Sequence, residues 1–220
     1  MIQQTEHSTL SKIEHLLPAE IEARSFEIIT EELGDIVLPE DQAPIIKRVI
    51  HTTADFDYAS QLCFSDQVVK RAKKALREGA CIVTDTQMGR AGINKKRLAE
   101  YGGEVYCYVA DEDVAKMAKD NQTTRAVAAI NKAVNGAEGK QLIFAIGNAP
   151  TALIRLYELI EEGVIAPALV IGVPVGFVNV VQSKELILQN TKDIPYIVAR
   201  GRKGGSNVAA AICNALIYGI

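Results

Sequence analysis

Apolar positions along the chain change their spacing near residue 80. Upstream they recur every three or four residues, the spacing of one helix face. In "PAEIEARSFEIITEELG", Ile21, Phe26, Ile29 and Leu33 form such a stripe. Pro18 suits the first helical turn there, and Gly34 suits the C′ position after the last. A second helix is expected over about residues 40–52, carrying Ile45, Ile46, Val49 and Ile50 and ending near His51. A third lies in "SDQVVKRAKKALREG", with Ser65 as candidate N-cap, Val68, Val69, Ala72 and Leu76 on one face, and Gly79 as its stop.

Downstream, short β-rich apolar runs take over: "ACIVT", "EVYCYV", "QLIFAI", "ALVIGV" and "PYIVAR". Between them lie helix-like segments, "DEDVAKMAKD", "TTRAVAAINKAV", "PTALIRLYELIEEG", "SKELILQN" and "SNVAAAICNALI". Strands without polar alternation are buried on both faces, so the pattern predicts a mostly parallel sheet with helices on both sides. The expected fold class is α/β, a single domain over residues 1–220 preceded by N-terminal helices, with residues 1–17 peripheral.

Composition narrows the function classes. Hydrophobic residues are 48% and charged residues 23% of the 220, in the range of globular proteins. The net charge of −3 and the absence of Trp offer neither a basic field nor stacking surface for nucleic acid. No apolar run nears the roughly 20 residues that cross a bilayer, and "MIQQTEHSTLSKIEH" lacks a signal-peptide layout, so no membrane partner is expected. The four cysteines, Cys63, Cys81, Cys107 and Cys213, form no CxxC pair and have no histidine nearby. Free buried thiols, no zinc and a cytoplasmic location are expected.

Candidate chemistry lies in the loops that follow the strands: "TDTQMGRAGINK" (84–95), "GNAPTAL" (147–153), "GVPVGFVN" (172–179) and "RGRKGGSN" (200–207). In an open parallel sheet such loops converge at the carboxyl ends of the strands, where ligands bind. Each glycine alone is explained by a tight turn. Four such loops, two of them with arginines, point to an anionic ligand met by helix N-terminal N–H groups. Asn148 is a candidate cap of the next helix, with Pro150 in its first turn. Arg200, Arg202 and Lys203 place cations beside Gly204, Gly205 and Ser206. Neither GxGxxG nor GxxxxGK[ST] is spelled, which disfavours a dinucleotide or a P-loop nucleotide.

His51 is the only histidine beyond the first fifteen residues, in "KRVIHTTADFD" with Arg48 one turn earlier. Imidazole exchanges protons near neutrality, and guanidinium grips carboxylates. The structural alternative is a histidine that caps the end of its helix.

These loops in this order resemble the precorrin-8X methylmutase family, from "RSFEII" through "KRVIH", "TDTQM", "GNAPTAL" and "GVPVGFVNVVQSKE" to "ARGRKGGSNVAAAICNAL". The resemblance covers about residues 18–217. It implies an isomerase of cobalamin biosynthesis that moves a methyl group from C-11 to C-12 of precorrin-8 or cobalt-precorrin-8, giving hydrogenobyrinate or cobyrinate. It also implies no separate cofactor, cobalt if present being carried by the substrate, and a homodimer with the active site near the subunit contact. The family's catalytic histidine falls on His51, its substrate-binding serine on Ser25, and its arginine on Arg48.

A polycarboxylate macrocycle suits the cationic loops. The candidate substrate-binding set is Ser25, Arg48, Thr86, Gln87, Asn148, Arg200, Arg202, Lys203, Gly204, Gly205 and Ser206. Met88, Val175 and Phe177 are read as lining either the macrocycle or the core. Methyl migration around a conjugated ring needs an acid to draw electrons toward a ring nitrogen, and His51 is the candidate. "TDTQM" leans toward the cobalt-containing substrate, and both substrate forms stay open. A non-catalytic carrier of the corrin product is the alternative from another class, and a generic phosphate-ligand α/β enzyme is a third.

Overall fold

The computed structural model describes residues 13–137, 139–189 and 193–220. They fall into two units that divide in sequence between Ile36 and Val37. In the first unit, Ile13–Leu17 are exposed and irregular; the rest of the segment expected to be peripheral lies outside the described residues. Helix α1 (Ile21–Leu33) begins after Pro18 rather than on it, because residues 18–20 form a turn in which the Glu20 carboxylate accepts the Leu17 N–H at 3.1 Å. Gly34 ends α1 with φ +55°, a conformation that costs glycine little.

In the second unit, helix α2 (Ala43–Thr53) buries Ile45, Ile46, Val49 and Ile50 and carries His51 in its last turn, as the periodicity predicts. A short helix, α3 (Tyr58–Gln61), then leads into strand β1 (Leu62–Phe64). Helix α4 (Val68–Arg77) starts from Gln67 in the left-handed region. Ser65 is not its cap: the Ser65 hydroxyl accepts the Tyr196 N–H at 2.9 Å and so ties this segment to the sheet.

Strand β2 (Cys81–Thr84) leads into helices α5 (Gln87–Gly92) and α6 (Lys95–Ala99), and then strand β3 (Val105–Tyr106). The "TDTQMGRAGINK" stretch is therefore largely helical. Thr86 and Asn94 cap the two short helices, accepting the N–H groups of Gly89 and Arg97 at 3.0 Å each. Beyond them come α7 (Glu112–Asp120), α8 (Arg125–Asn135), β4 (Leu142–Ile146), α9 (Pro150–Glu161), β5 (Leu169–Gly172), α10 (Val180–Leu188), β6 (Tyr196–Ala199) and α11 (Ser206–Tyr218).

The sheet order is β1-β6-β5-β4-β2-β3, parallel throughout except for β1 against β6. Alternation along the strands splits the core. Cys81, Val83, Phe144, Ile146, Val170 and Val198 pack with Leu153, Leu156 and Ile187 of α9 and α10 on one side. The intervening Ile82, Ile143, Ile171 and Ile197 are equally buried and, by the period of two, face the other side. Helix α11 packs there against α2, α4 and α5 and crosses β4 and β5. The α/β reading with helices on both faces is correct. The short edge strand β1 is an addition that the hydrophobic pattern does not announce.

Candidate active site

From β2 the chain runs outward to β3, then returns so that β4 lies on the other flank of β2. Strand order thus reverses between β2 and β4, the place where open α/β sheets hold ligands. Asp85 follows β2 at this point and is buried. One of its oxygens accepts the Gly147 N–H at 2.9 Å, the other those of Asn148 at 2.8 Å and Ala149 at 2.6 Å. Burial pushes the Asp85 carboxyl above the ordinary carboxylate range, against the downward pull of the three N–H donors.

The N–H groups expected to meet a substrate anion on "GNAPTAL" are therefore taken by the protein's own carboxylate. Asn148 is not the cap of α9 either: Ala149 holds that position, without a side-chain cap. The Asn148 side chain is exposed. Asp85 sits inside a motif quoted from the sequence, yet spacing alone does not distinguish a loop carboxylate from one that folds back under the neighbouring strand.

The other loops interlock. Gly205 donates its N–H to the Val173 carbonyl at 2.9 Å, and Gly176 donates to the Arg202 carbonyl at 3.3 Å. A side chain on Gly204 would run into the Val173 carbonyl oxygen, and one on Gly147 would come within 2.8 Å of the Gly205 carbonyl oxygen. Glycine is required at both positions because backbone meets backbone. The Thr86 and Ser206 hydroxyls lie 2.7 Å apart, so the loop after β2 also touches the start of α11. The Gln87 amide donates to the Cys107 carbonyl at 3.3 Å. The convergence expected from the sequence is present for the loops after β2, β4, β5 and β6.

The three loop cations differ in their surroundings. Lys203 pairs with Asp55 at 2.6 Å and Asp57 at 2.5 Å, which raise its pKa and lower that of Asp55. Arg200 lies 3.4 Å from Glu185. Arg202 is exposed, with its guanidinium 5.4 Å from the centre of the Phe177 ring, and pairs with no carboxylate among the described residues. Phe177, Met88 and Val175 are 78%, 72% and 46% exposed, which removes the core alternative for all three.

His51 opens on a groove of about 360 Å³ between α2, α5 and α11. Arg48, Thr52, Asn207, Asn214 and Tyr218 share its wall, and Gly92, Ala210 and Ala211 leave room at its base. The Arg48 guanidinium lies 5.6 Å from the centre of the Tyr218 ring. Asn214 fixes the junction of α5 and α6, accepting the Asn94 N–H at 2.8 Å and donating to the Gly92 carbonyl at 2.9 Å. Asn207 belongs to the first turn of α11, directly after Ser206, and so links this groove to the 200–205 loop. Asn207, Asn214 and Tyr218 escape sequence reasoning because they sit inside an apolar helix. Ser25 belongs to the first unit, where its hydroxyl donates to the Ile21 carbonyl at 2.9 Å. The described residues hold no group of three or more His, Cys, Asp or Glu able to bind a metal ion.

Residues 20–219 match the family model described as precorrin-8X methylmutase. The chain belongs to this family. It is 47% identical to the cobalt-precorrin-8 methylmutase of Priestia megaterium, over 90% of this chain and 87% of that one. It is 37% identical to the precorrin-8X methylmutase of Pseudomonas aeruginosa, over 88% and 91% of the two chains. Among solved structures, that of the precorrin-8X methylmutase from Thermus thermophilus superposes with a TM-score of 0.82 at 39% identity, covering 90% of this chain and 96% of that one. Methylmutases of this family are isomerases of cobalamin biosynthesis. Among the described residues no helix is long and apolar enough to cross a membrane.

Proposed function

We propose that this enzyme moves a methyl group from C-11 to C-12 of cobalt-precorrin-8 or precorrin-8, with His51 as the acid that assists the shift. The observation that carries the reading is the shared groove. His51 and Arg48 open on the same space as Asn207, at the end of α11 that the cationic 200–205 loop feeds. The reaction is intramolecular: the C-11–methyl bond breaks as the C-12–methyl bond forms, with no outside nucleophile. Protonating or hydrogen-bonding a ring nitrogen lowers the barrier by drawing the ring electrons that the migration displaces.

Arg202 is the loop cation best placed to meet a substrate carboxylate, having no carboxylate partner of its own among the described residues. Lys203 would have to exchange Asp55 and Asp57 for the substrate, and Arg200 would have to exchange Glu185. The opening N–H groups of α11, at Ser206 and Asn207, lack intrahelical acceptors, as at the start of any α-helix. Thr86, Gln87, Asn148, Gly204 and Gly205 complete the polar rim. Ser25 enters on motif resemblance alone. No cofactor is needed, and cobalt arrives within the substrate where it is present.

The groove is near the lower end of the usual range of about 300–1,000 Å³ for ligand pockets. A corrin with its carboxylate arms is larger than this open groove and would extend beyond it. The homodimer, with the active site near the subunit contact, is what the family resemblance implies, and it accords with the general preference for two-fold assemblies. The test is incubation of the pure protein with each form of precorrin-8, followed by visible absorbance. Conversion to the corrin chromophore is expected. Tight binding of product without any conversion would leave the carrier reading instead.

A further inference from the structure

The motif "SKE" after the third glycine-rich loop contains a lysine, Lys184, that the proposed reaction leaves without a role. Lys184 lies on α10 between the buried residues Val180 and Ile187, and its exposure is 0%. Its ammonium donates to the Gly201 carbonyl at 2.8 Å and the Lys203 carbonyl at 2.7 Å. Among the described residues no carboxylate pairs with it. A buried ammonium is costly unless its donors are satisfied, so its retention in the interior needs a compensating gain.

Both acceptors belong to the "RGRKGG" loop, on either side of Arg202. The same loop is tied to its neighbour through Gly205 with Val173 and Gly176 with Arg202. Gly201 at φ +74° and Gly205 at φ +139° leave the backbone free to turn. The ion pairs of Arg200 and Lys203 hold the loop from its exposed side, while Lys184 holds its backbone from the interior. We propose that Lys184 is a positioning residue for substrate binding, its ammonium holding the backbone of residues 201–203 so that Arg202 and the start of α11 are set for the carboxylate arms before substrate arrives. The role rests on the reading of this loop as the anion-binding element. It touches no reacting atom, so it acts on affinity rather than on the methyl shift. Burial also lowers the Lys184 pKa to about 8, which marks the cost of keeping a charge there.

The test is Lys184→Met, which keeps the apolar stem and removes the donors, beside wild type and Arg202→Ala. Four quantities are measured: urea midpoint, kcat, KM with cobalt-precorrin-8, and the sites of brief trypsin cleavage. Expected for Lys184→Met are a KM at least 10-fold higher, kcat within about threefold, and early cleavage at Arg200, Arg202 and Lys203 while the rest of the chain stays protected. Unchanged KM together with a protected loop would overturn the proposal. So would a fall in urea midpoint with cleavage throughout the chain, which would make Lys184 a general core residue. Failure of the anion-binding reading would look different: Arg202→Ala would match wild type in KM. The trypsin comparison of wild type with Lys184→Met would then still decide whether Lys184 holds the loop.

Discussion

The Thr86 and Ser206 hydroxyl oxygens lie 2.7 Å apart although the residues are separated by 120 positions in sequence. The contact joins the cap of α5 to the first residue of α11. Thr86 also accepts the Gly89 N–H at 3.0 Å, so its hydroxyl serves two partners. Thr86→Val should cost about 1–2 kcal/mol, since a lost N-cap is worth that much by itself. Ser206→Ala should cost about 0.5–1.5 kcal/mol, the net worth of one hydrogen bond. The double variant should cost less than the sum, because both remove the same contact. Urea unfolding of the three variants measures this; strict additivity would mean that the two hydroxyls do not interact.

Asp85 makes a stronger demand. Its two oxygens accept three backbone N–H groups from the turn after β4. An asparagine in its place would offer one oxygen and an amide that points a donor at donors. Asp85→Asn should therefore lose about 2–3 kcal/mol, close to the upper range for leaving buried N–H groups unmet. Asp85→Glu should not rescue it, since a longer side chain does not fit the same short bonds. The urea midpoint is the readout, and an unchanged midpoint for Asp85→Asn would show that water replaces the carboxylate without loss.

The loop cations should separate under mutation. Arg202→Ala should raise the dissociation constant of the corrin product and flatten its salt dependence, because an exposed carboxylate contact is screened by ions. Lys203→Ala should leave that salt dependence closer to wild type and instead free Asp55 and Asp57, which Lys203 now pairs. The pH behaviour has a definite sign. Lys203 lowers the Asp55 pKa, so the pairing contributes at pH above the unfolded carboxylate value of about 3.9 and is lost as pH falls through the lower folded value. Acid unfolding of Lys203→Ala should begin at higher pH than in wild type. Product titrations at two salt concentrations and an acid unfolding curve decide both points.

How much of this is legible in the sequence depends on the range of each interaction. Phe144 and Ile146 declare a buried strand, and Ile45, Val49 and Ile50 a buried helix face, because their period is local. Strand β1 escapes the pattern because three residues, Leu62–Phe64, are too few to show a period. Ser65 reads as a cap from its position before a helix, but its hydroxyl is claimed by Tyr196, 131 residues away. Asn148 reads as a cap for the same reason, while Asp85 settles the turn from 62 to 64 residues upstream. Lys184 stands in plain view inside the "SKE" motif, and only the fold shows that its ammonium is buried beneath a loop. Gly204, by contrast, is legible as a close backbone approach, though not which carbonyl it meets.

His51 provides the test that separates catalyst from carrier. It stands in the last turn of α2 and shares its groove with Arg48, Asn207 and Tyr218. If imidazole supplies a proton in the transition state, His51→Ala should lose about 10²–10⁴-fold in rate, the usual worth of general acid catalysis. Product affinity should stay within a few-fold, because ground-state binding draws on the 200–205 loop and on Arg48 as well. The fold should survive too, since His51 is exposed and the core face of α2 is built from Ile45, Ile46, Val49 and Ile50. A histidine at a helix end is worth at most about 2 kcal/mol through the dipole. Single-turnover absorbance and a product titration measure the two effects on the same protein sample. Full turnover by folded His51→Ala would remove the acid role. Equal losses in rate and product affinity would instead make His51 a binding residue, and the acid would then have to be sought elsewhere along the groove.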